Sequence, residues 1–358
     1  MNITVDLRSL SGQPWSGVPV YTRTLVSSLI QEYPMHQWNG WTSGRRAHPV
    51  MMSGLTSLEE DHASTLIRAI QWSLPWSTGF GGSTADVLFV PNWNIIPARL
   101  SAPMVLTVHD LWIRRLGWDG GTKERLWHRA IRLERTLKLA ARIICVSRST
   151  QDELLFYFPS LQGRTHVVLS ANPVVLPHQC TNDCQWRSKT LPRLVVVGDA
   201  HKRKNIQYVL KALESTNVGW EVVIVGVNSN PSEVRGPSVI HWRKALSPTQ
   251  YATLLHHSTA MVYCSLYEGY GFPPQEAFAA GITVIASSIP ALVETMGENA
   301  ILVNPMDWKE LARVLENPVR LERVNAPARS SARTWSDVTK ETFAVLEEAV
   351  HDQRSEKF

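Results

Sequence analysis

Short apolar runs rich in valine and isoleucine recur along the chain, and segments with helical periodicity lie between them. In the second half, the runs are RLVVVGD (193–199), WEVVIVG (220–226), SVIHW (238–242), AMVYCS (260–265), ITVIAS (282–287) and AILVNP (300–305). Helices are predicted over 206–215 and 248–257. Strand and helix in regular alternation predict an α/β unit in which helices cover a parallel sheet.

The first half repeats this pattern. Strands are predicted around Ile3, Val5 and Leu7 and at 85–91, 103–110 and 141–147, with helices over 18–33 and 122–140. The predicted apolar face of the second helix consists of Leu126, Ala130, Leu133, Leu137 and Ala140. Residues 335–353 read as a long amphipathic helix. The chain therefore predicts two α/β units of similar size.

The stretch 172–192 has three prolines and no periodicity, which is typical of a linker. A chain of 358 residues is also long enough for two domains. We expect Rossmann-like domains over 1–172 and 173–335 that face each other across a cleft, and a C-terminal helix over 336–358 that packs back onto the first. Ligands of such sheets bind at the carboxyl ends of the strands, so the cleft is the expected site.

Composition narrows the class of protein. The chain is 44% hydrophobic and 19% charged, as in a folded globular protein. No apolar run approaches the ~18 residues of a membrane span, and the N-terminus has no secretory signal pattern. Four scattered cysteines favour a reduced, cytoplasmic protein. Cys180 and Cys184 lack a second pair of ligands, so no zinc site is predicted.

The segment SLYEGYGFPPQEAFAAG (265–281) places two carboxylates on either side of a glycine- and proline-rich stretch. It predicts a loop with Glu268, then a helix that starts near Pro273 and Pro274, has Glu276 in its first turn and ends at Gly281. A helix N-terminus attracts anions, whereas ionised carboxylates accept hydrogen bonds. The combination indicates a ligand with a phosphate and several hydroxyls.

Further candidates follow other predicted strands. They are Gly17 after the first strand, His109 after 103–108, and the cations of DAHKRKN at 199–205. Histidine can donate to a phosphate or sugar oxygen or shuttle a proton, and cations beside a helix start can neutralise a diphosphate. The same residues also fit an ordinary turn, a structural histidine and a solvated charge cluster. No P-loop and no GxGxxG after a strand is present, which argues against a P-loop NTPase and against NAD binding.

The run from Glu268 to Glu276 resembles the E-x7-E motif of retaining glycosyltransferases of the GT-B fold, family 4 or "group 1". Similarity extends through YEGYGFPPQEAFAAGITVIAS, GENAILVNP, GDAHKRKN, VSRSTQDEL (146–154), SGV (16–18) and VHD (108–110). It covers essentially the whole chain. The resemblance implies a retaining, metal-independent hexosyltransferase whose donor is a nucleotide-diphospho-sugar.

The resemblance also implies residue roles. Glu268 is expected to contact the donor sugar, with His109 nearby, and Lys204 to balance the leaving diphosphate; these are the predicted catalytic residues. The predicted donor-binding residues are Gly17, Arg203, Gly271, Phe272 and Glu276. One departure is Asp199, where some members have an arginine, which puts the role of Arg203 in doubt.

The predicted acceptor is a glycan or lipid-linked glycan of polysaccharide biosynthesis, bound by the first domain, and GDP-mannose is the first donor to try. Nine Lys or Arg against three acidic residues within 114–142 allow peripheral contact of a basic helix over 122–142 with the inner face of a membrane. A solvated helix face explains the same charges. No nucleic acid, metal or cofactor is expected. A nucleotide-sugar epimerase and a non-catalytic binding partner remain as alternatives.

Overall fold

The computed structural model describes residues 1–11, 17–43, 52–61, 84–116, 131–172, 191–199, 201–226, 235–321 and 333–355. The chain divides into two compact units. The first comprises Met1–Leu111, Gly120–Pro173 and Arg333–Phe358, and the second comprises Trp112–Asp119 and Val174–Ala332.

The first unit contains a seven-stranded sheet. Its strands are β1 (Asn2–Asp6), β2 (Gln37–Ser43), β3 (Ser57–Asp61), β4 (Val87–Val90), β5 (Met104–Val108), β6 (Ala140–Cys145) and β7 (Thr165–Val167). Their order is β3-β2-β1-β4-β5-β6-β7, and every neighbouring pair is parallel. The central strands β4 and β5 are buried along their whole length, as expected of a sheet covered on both faces.

The second unit contains a six-stranded parallel sheet. Its strands are β8 (Arg193–Val197), β9 (Glu221–Val225), β10 (Val239–Arg243), β11 (Ala260–Tyr263), β12 (Thr283–Ser287) and β13 (Ile301–Val303). The order is β10-β9-β8-β11-β12-β13. The chain runs outward from β8 in one direction and from β11 in the other. The switch point between β8 and β11 is therefore the place where such a sheet binds its ligand.

The α-helices are numbered along the chain. They are α1 (Gly17–Glu32), α2 (Trp112–Leu116), α3 (Leu133–Leu139), α4 (Arg148–Tyr157), α5 (Ile206–Glu214), α6 (Pro248–His256), α7 (Phe272–Ala279), α8 (Pro290–Met296), α9 (Trp308–Leu315) and α10 (Trp335–Ser355). In the second unit, α5 and α9 contribute to one apolar core and α6, α7 and α8 to the other. Two separate cores on one sheet mean that helices cover both of its faces.

The C-terminal helix α10 belongs to the first unit, where it packs against α1 and the strands β4, β5 and β6. The ring of Phe343 stacks on Tyr33 with centroids 3.7 Å apart. Arg142 on β6 donates to Glu348 at 2.9 Å and also pairs with Asp352. Apolar stacking and ion pairs thus hold α10 in place.

The fold class predicted from the sequence is confirmed, because both sheets are parallel and covered by helices. The single helix over 122–140 is wrong at Arg132, whose backbone is left-handed with a φ of 50°. The helix α3 begins after it, and Ala140 starts β6 instead of ending the helix. Residues 117–130 and 173–190, which include most of the basic helix and of the predicted linker, lie outside the described residues.

Several elements had no counterpart in the sequence-based prediction. They are the strands β2, β3 and β7 and the helices α2, α4, α8 and α9. In the part of the chain that the structure describes, no helix combines the length and the apolar character needed to cross a membrane.

Candidate active site

The cationic segment GDAHKRKN follows β8 directly, and its described residues, 198–199 and 201–205, form a short turn. The Asp199 carboxylate accepts from the backbone N–H of His201 at 3.0 Å, and a 3₁₀ turn follows over Lys202–Lys204. Asn205 then adopts a left-handed backbone, which asparagine tolerates well, and its amide donates to the Pro305 carbonyl at 2.9 Å. The residue that departs from the family pattern, Asp199, therefore shapes the turn that carries Lys204.

Glu268 lies in the loop after β11, across the switch point from that turn. The Lys204 ammonium donates to Glu268 Oε1 at 2.6 Å and to the Tyr263 hydroxyl at 2.7 Å. The same hydroxyl donates to Glu268 Oε1 at 2.9 Å. Arg203 Nη1 lies 3.6 Å from that oxygen. The structure thus brings three predicted residues together: Arg203, Lys204 and Glu268.

Opposing effects act on the Glu268 carboxyl. Burial raises its pKa, but the charges of Lys204 and Arg203 and the hydrogen bond from Lys204 lower it by more, so the net pKa lies below the usual range. Glu268 is therefore ionised at neutral pH. Burial and the Glu268 charge both raise the pKa of Tyr263 well above its ordinary value, so this phenol stays protonated.

The backbone between the two glutamates turns sharply into α7. Gly271 has a φ of 92°, and a Cβ built there would lie 2.5 Å from Leu292 Cδ2. Pro273 and Pro274 carry no N–H, so the amides of Gly271 and Phe272 are the donors nearest this helix start. Glycine at this position thus lets the backbone present donors without a side chain.

The neighbouring helix α8 supports this loop. The Thr295 hydroxyl donates to the Tyr270 carbonyl at 3.0 Å, and the Gln275 amide donates to the Thr295 carbonyl. The backbone N–H of Leu266 donates to the Arg203 carbonyl at 2.7 Å, which joins the loop to the cationic turn. The loop conformation is therefore held from two sides.

Glu276 was predicted in the first turn of the helix. It is the fifth residue of α7, so it lies just beyond that turn. Its side chain is buried, with 8% of the residue surface exposed. Burial raises the pKa of Glu276 to about 7, and the Tyr251 hydroxyl lowers it by a smaller amount. No positive charge contributes to this shift, in contrast to Glu268.

His109 follows β5 in the first unit. Its Nε2 lies 2.8 Å from the Pro91 carbonyl, which can only accept, so Nε2 carries the proton. Burial lowers the pKa of His109 to about 4, and the bond to Pro91 raises it by less. The imidazole is therefore neutral at pH 7, with Nδ1 as an acceptor. Of the roles predicted for His109, donation to a phosphate does not fit this tautomer.

The predicted residues fall into two groups. Arg203, Lys204, Glu268, Gly271, Phe272 and Glu276 belong to the second unit, around the carboxyl ends of β8 and β11. Gly17, the first residue of α1, and His109 belong to the first unit. Residues 12–16, which precede Gly17 in the chain, lie outside the described residues. Among the described residues, no cluster of His, Cys, Asp and Glu has the grouping of a metal site.

Sequence reasoning missed Tyr263. It ends β11, and its hydroxyl bridges Lys204 and Glu268. The available signal was its position, because it is the polar last residue of an otherwise apolar strand, five residues before Glu268. A tyrosine in a predicted strand more often packs in the core, so that signal was weak.

The chain matches two family models. Residues 184–335 match the glycosyl transferases group 1 model, and residues 80–170 match the glycosyltransferase family 4 model. Together the two matches span more than half of the chain. The chain belongs to the group 1 glycosyltransferases of family 4 and is a glycosyltransferase.

Known proteins agree with this assignment. The chain is 26% identical over 283 residues to the MMP alpha-(1->4)-mannosyltransferase of Mycolicibacterium hassiacum, covering 71% of this chain and 67% of that protein. It is 25% identical over 280 residues to the O-antigen chain mannosyltransferase B of Escherichia coli, covering 71% and 72%. WaaG, a glycosyltransferase involved in lipopolysaccharide biosynthesis, superposes with a TM-score of 0.64 at 15% identity, covering 97% of this chain and 98% of that one. This likeness shows the GT-B fold.

Proposed function

We propose that this glycosyltransferase transfers a hexose, with mannose favoured, from a nucleotide-diphospho-sugar to a glycan or lipid-linked glycan in polysaccharide biosynthesis. We further propose that it retains the anomeric configuration and needs no metal ion. The observation that carries the proposal is the group formed by Lys204, Glu268 and Tyr263 at the switch point of the second sheet, beside the start of α7. Both relatives described above are mannosyltransferases, and this supports mannose as the transferred sugar.

The cations and amides of this site fit the leaving group. When the bond from the sugar to the diphosphate breaks, negative charge develops on the phosphate oxygens. The Lys204 ammonium has three donors, and two of them go to Glu268 and Tyr263, which leaves one for a phosphate. Arg203 and the amides of Gly271 and Phe272 add positive charge and hydrogen bonds. Because this charge grows in the transition state, its stabilisation raises the rate.

The carboxylates fit the hydroxyls of the donor. Lys204, Tyr263 and Arg203 all approach Oε1 of Glu268, so we assign Oε2 to a hydroxyl of the sugar. We assign Glu276 to the ribose. The pKa of Glu276 is about 7, so its carboxyl changes charge near neutral pH. Hydroxyls that donate to the carboxylate favour its ionised form, so donor binding and ionisation of Glu276 support each other.

His109 completes the assignment in the first unit. Its neutral imidazole has Nδ1 as a hydrogen-bond acceptor, which suits a hydroxyl of the transferred sugar. We propose that the acceptor attacks from the face of the departing phosphate and that this phosphate takes the acceptor's proton. This route needs no covalent nucleophile from the protein.

A peripheral membrane contact at the inner face remains part of the proposal, with a cytoplasmic location. In the described part of the basic region, Arg142 pairs with Glu348 and Asp352, and Lys138 pairs with Glu134 at 2.9 Å. Arg132 and Lys138 are exposed, so we assign such a contact to them together with the cations between residues 117 and 130.

A donor screen tests the proposal. The protein is incubated with a panel of nucleotide-diphospho-sugars, with and without oligosaccharide and lipid-linked acceptors, and release of nucleoside diphosphate and the product anomer are measured. We expect acceptor-dependent release with one donor and a product of the same anomeric configuration. Conversion of the donor sugar without any acceptor would contradict the proposal and indicate an epimerase. Binding without turnover across the panel would indicate a non-catalytic partner.

A further inference from the structure

Tyr263 occupies a position between the two predicted catalytic groups of the second unit. Only 2% of its surface is exposed, and its ring lies 4.9 Å from the Lys204 ammonium. Its hydroxyl accepts from Lys204 at 2.7 Å and donates to Glu268 at 2.9 Å. A phenol has one proton to donate, so this arrangement satisfies a lysine and a carboxylate at once and fixes the direction of both bonds.

We propose that Tyr263 is a positioning residue that holds the Lys204 ammonium and the Glu268 carboxylate in the geometry required for transfer. The inference rests on the proposed function, because it acts through Lys204 and Glu268. Tyr263 itself touches neither the donor nor the acceptor in this account.

A lysine side chain needs such support. Four rotatable bonds precede its ammonium, and a strong salt bridge to Glu268 alone would leave the pair free to move as one. Tyr263 lies in the buried strand β11, so its hydroxyl fixes the position of the Lys204–Glu268 pair relative to the sheet. A displacement of about 1 Å at a catalytic group can lower the rate about 100-fold, so a hydrogen bond that prevents such a displacement has a large effect on turnover.

The first test is Tyr263→Phe, with Tyr208→Phe as its matched control. Tyr208 is also a buried tyrosine of the second unit, and its hydroxyl donates to the carbonyl of Asn304 at 2.7 Å and lies 3.0 Å from that of Asp307. Both variants lose a buried hydroxyl and keep the ring. We expect Tyr263→Phe to lower kcat by about 10- to 100-fold with little change in the donor KM, and Tyr208→Phe to keep the wild-type kcat. Equal kcat in Tyr263→Phe and wild type would overturn the proposal.

The second test asks whether Tyr263 acts through Lys204. In a Lys204→Met background, we expect Tyr263→Phe to have a smaller further effect on kcat than in the wild-type background, because one of the two groups that it positions is gone. Fully additive losses would show that Tyr263 does not act through Lys204. The pH profile gives a separate reading, since loss of the hydroxyl removes a hydrogen bond that favours ionised Glu268. The acidic limb of kcat should move to higher pH in Tyr263→Phe and stay in place in Tyr208→Phe.

A third measurement does not depend on activity. With ¹⁵N-labelled lysine, an ammonium held by two acceptors exchanges slowly and gives an ¹H–¹⁵N signal that Lys204→Met identifies. We expect the Lys204 signal in the donor-free wild type and in Tyr208→Phe, and its loss in Tyr263→Phe. Persistence of the signal in Tyr263→Phe would contradict the proposal. If wild type turns over no donor while Tyr263→Phe loses the signal, the proposed function fails and the positioning role stands.

A fluorotyrosine series at position 263 covers the case in which Tyr263→Phe does not fold. Ring fluorines change the acidity of the phenol while leaving the ring and the hydroxyl in place. We expect kcat to vary steadily with phenol acidity at constant thermal stability. A constant kcat across the series would overturn the positioning role.

Discussion

The loop that carries Glu268 and the helix that carries Glu276 are consecutive in the chain, yet they place the same residue type in opposite electrostatic surroundings. The Glu276 residue is 8% exposed and the Glu268 side chain 10%, so both carboxylates are largely shielded from solvent. The pKa of Glu268 falls below the usual range because burial is outweighed by Lys204 and Arg203. The pKa of Glu276 rises to about 7 because burial acts with only a hydroxyl to offset it.

Burial alone therefore does not set the role of a carboxylate in this site. Glu268 is ionised at neutral pH and paired, so it suits a fixed acceptor beside a cation. Glu276 sits at the edge of ionisation, so its charge depends on what binds to it. We call Glu268 and its partner Lys204 the loop side and Glu276 the helix side. We expect changes on the loop side to lower turnover, and changes on the helix side to alter ribose binding and pH dependence.

The largest expected effect is on the loop side, with Lys204→Ala. Loss of a preorganised cation at a developing oxyanion costs about 100- to 1,000-fold in kcat. The matched control is Lys202→Ala, an exposed lysine of the same turn, for which wild-type kcat is expected. Steady-state kinetics with the donor found in the screen measure both. Wild-type turnover of Lys204→Ala would remove its assigned role and with it the contrast between the two sides.

The next effect is on the helix side, with Glu276→Gln. In the folded wild type, the pKa of Glu276 is about 7, above the ordinary value of 4.5. Protonation of Glu276 therefore stabilises the folded state relative to the unfolded state. This contribution to stability is complete below pH 4.5 and is lost as the pH rises through 7. We expect the wild-type free energy of unfolding to fall by about 2 to 3 kcal/mol over that range, and Glu276→Gln to lack this fall.

Chemical denaturation at a series of pH values measures the difference, with Glu298→Gln as an exposed control. Parallel curves for wild type and Glu276→Gln would mean that Glu276 does not titrate in this range. Glu276 would then keep one charge state across this pH range, as Glu268 does at neutral pH, and the electrostatic contrast between the two glutamates would be wrong.

A third change, Gly271→Ala, targets the turn that joins the two sides. The φ of 92° strains any residue with a Cβ, and the new methyl would lie 2.5 Å from Leu292 Cδ2. We expect a loss of about 1 to 3 kcal/mol in stability together with weaker donor binding, from strain and displaced backbone donors. Gly163→Ala is the matched control, because its φ is 83° and no atom lies within 4 Å of the new Cβ. Equal losses in the two variants would show that strain alone is responsible.

The smallest effect is expected for His109→Gln in the first unit. A neutral imidazole with a pKa of about 4 serves as an acceptor and not as a proton carrier at neutral pH. Glutamine also offers a neutral acceptor, so kcat should fall by less than about tenfold, below the range for loss of an acid–base group. The pH profile between 6 and 8 should be unchanged. A loss of about 100-fold with an altered profile would restore the proton-shuttle role.

The sequence predicted the second unit better than the first. The runs RLVVV and EVVIV are buried strands made mostly of consecutive β-branched residues, and both appear where they were expected. In contrast, QWNGWTS of β2 and SLEED of β3 are polar or glycine-containing, and their strand form depends on pairing with β1 and with each other. Tertiary pairing of this kind leaves no local signal.

The site shows the same limit. The family resemblance predicted that Lys204 and Glu268 act on the same donor, and the structure brings them together because both follow strands that meet at a switch point. Tyr263, the proton position on His109 and the break at Arg132 were not predictable. Each depends on a partner far along the chain or on a backbone angle, and residue type alone does not specify either.

Isothermal titration calorimetry separates the roles of Lys204 and Glu276 by comparing the binding of a nucleoside monophosphate and a nucleoside diphosphate, with the base preferred in the donor screen. If Lys204 contacts the distal phosphate and Glu276 the ribose, Glu276→Ala weakens both ligands to a similar degree. Lys204→Ala should then weaken the diphosphate alone. If Lys204→Ala weakens both ligands equally, or Glu276→Ala weakens neither, the assignment of the two sides is wrong.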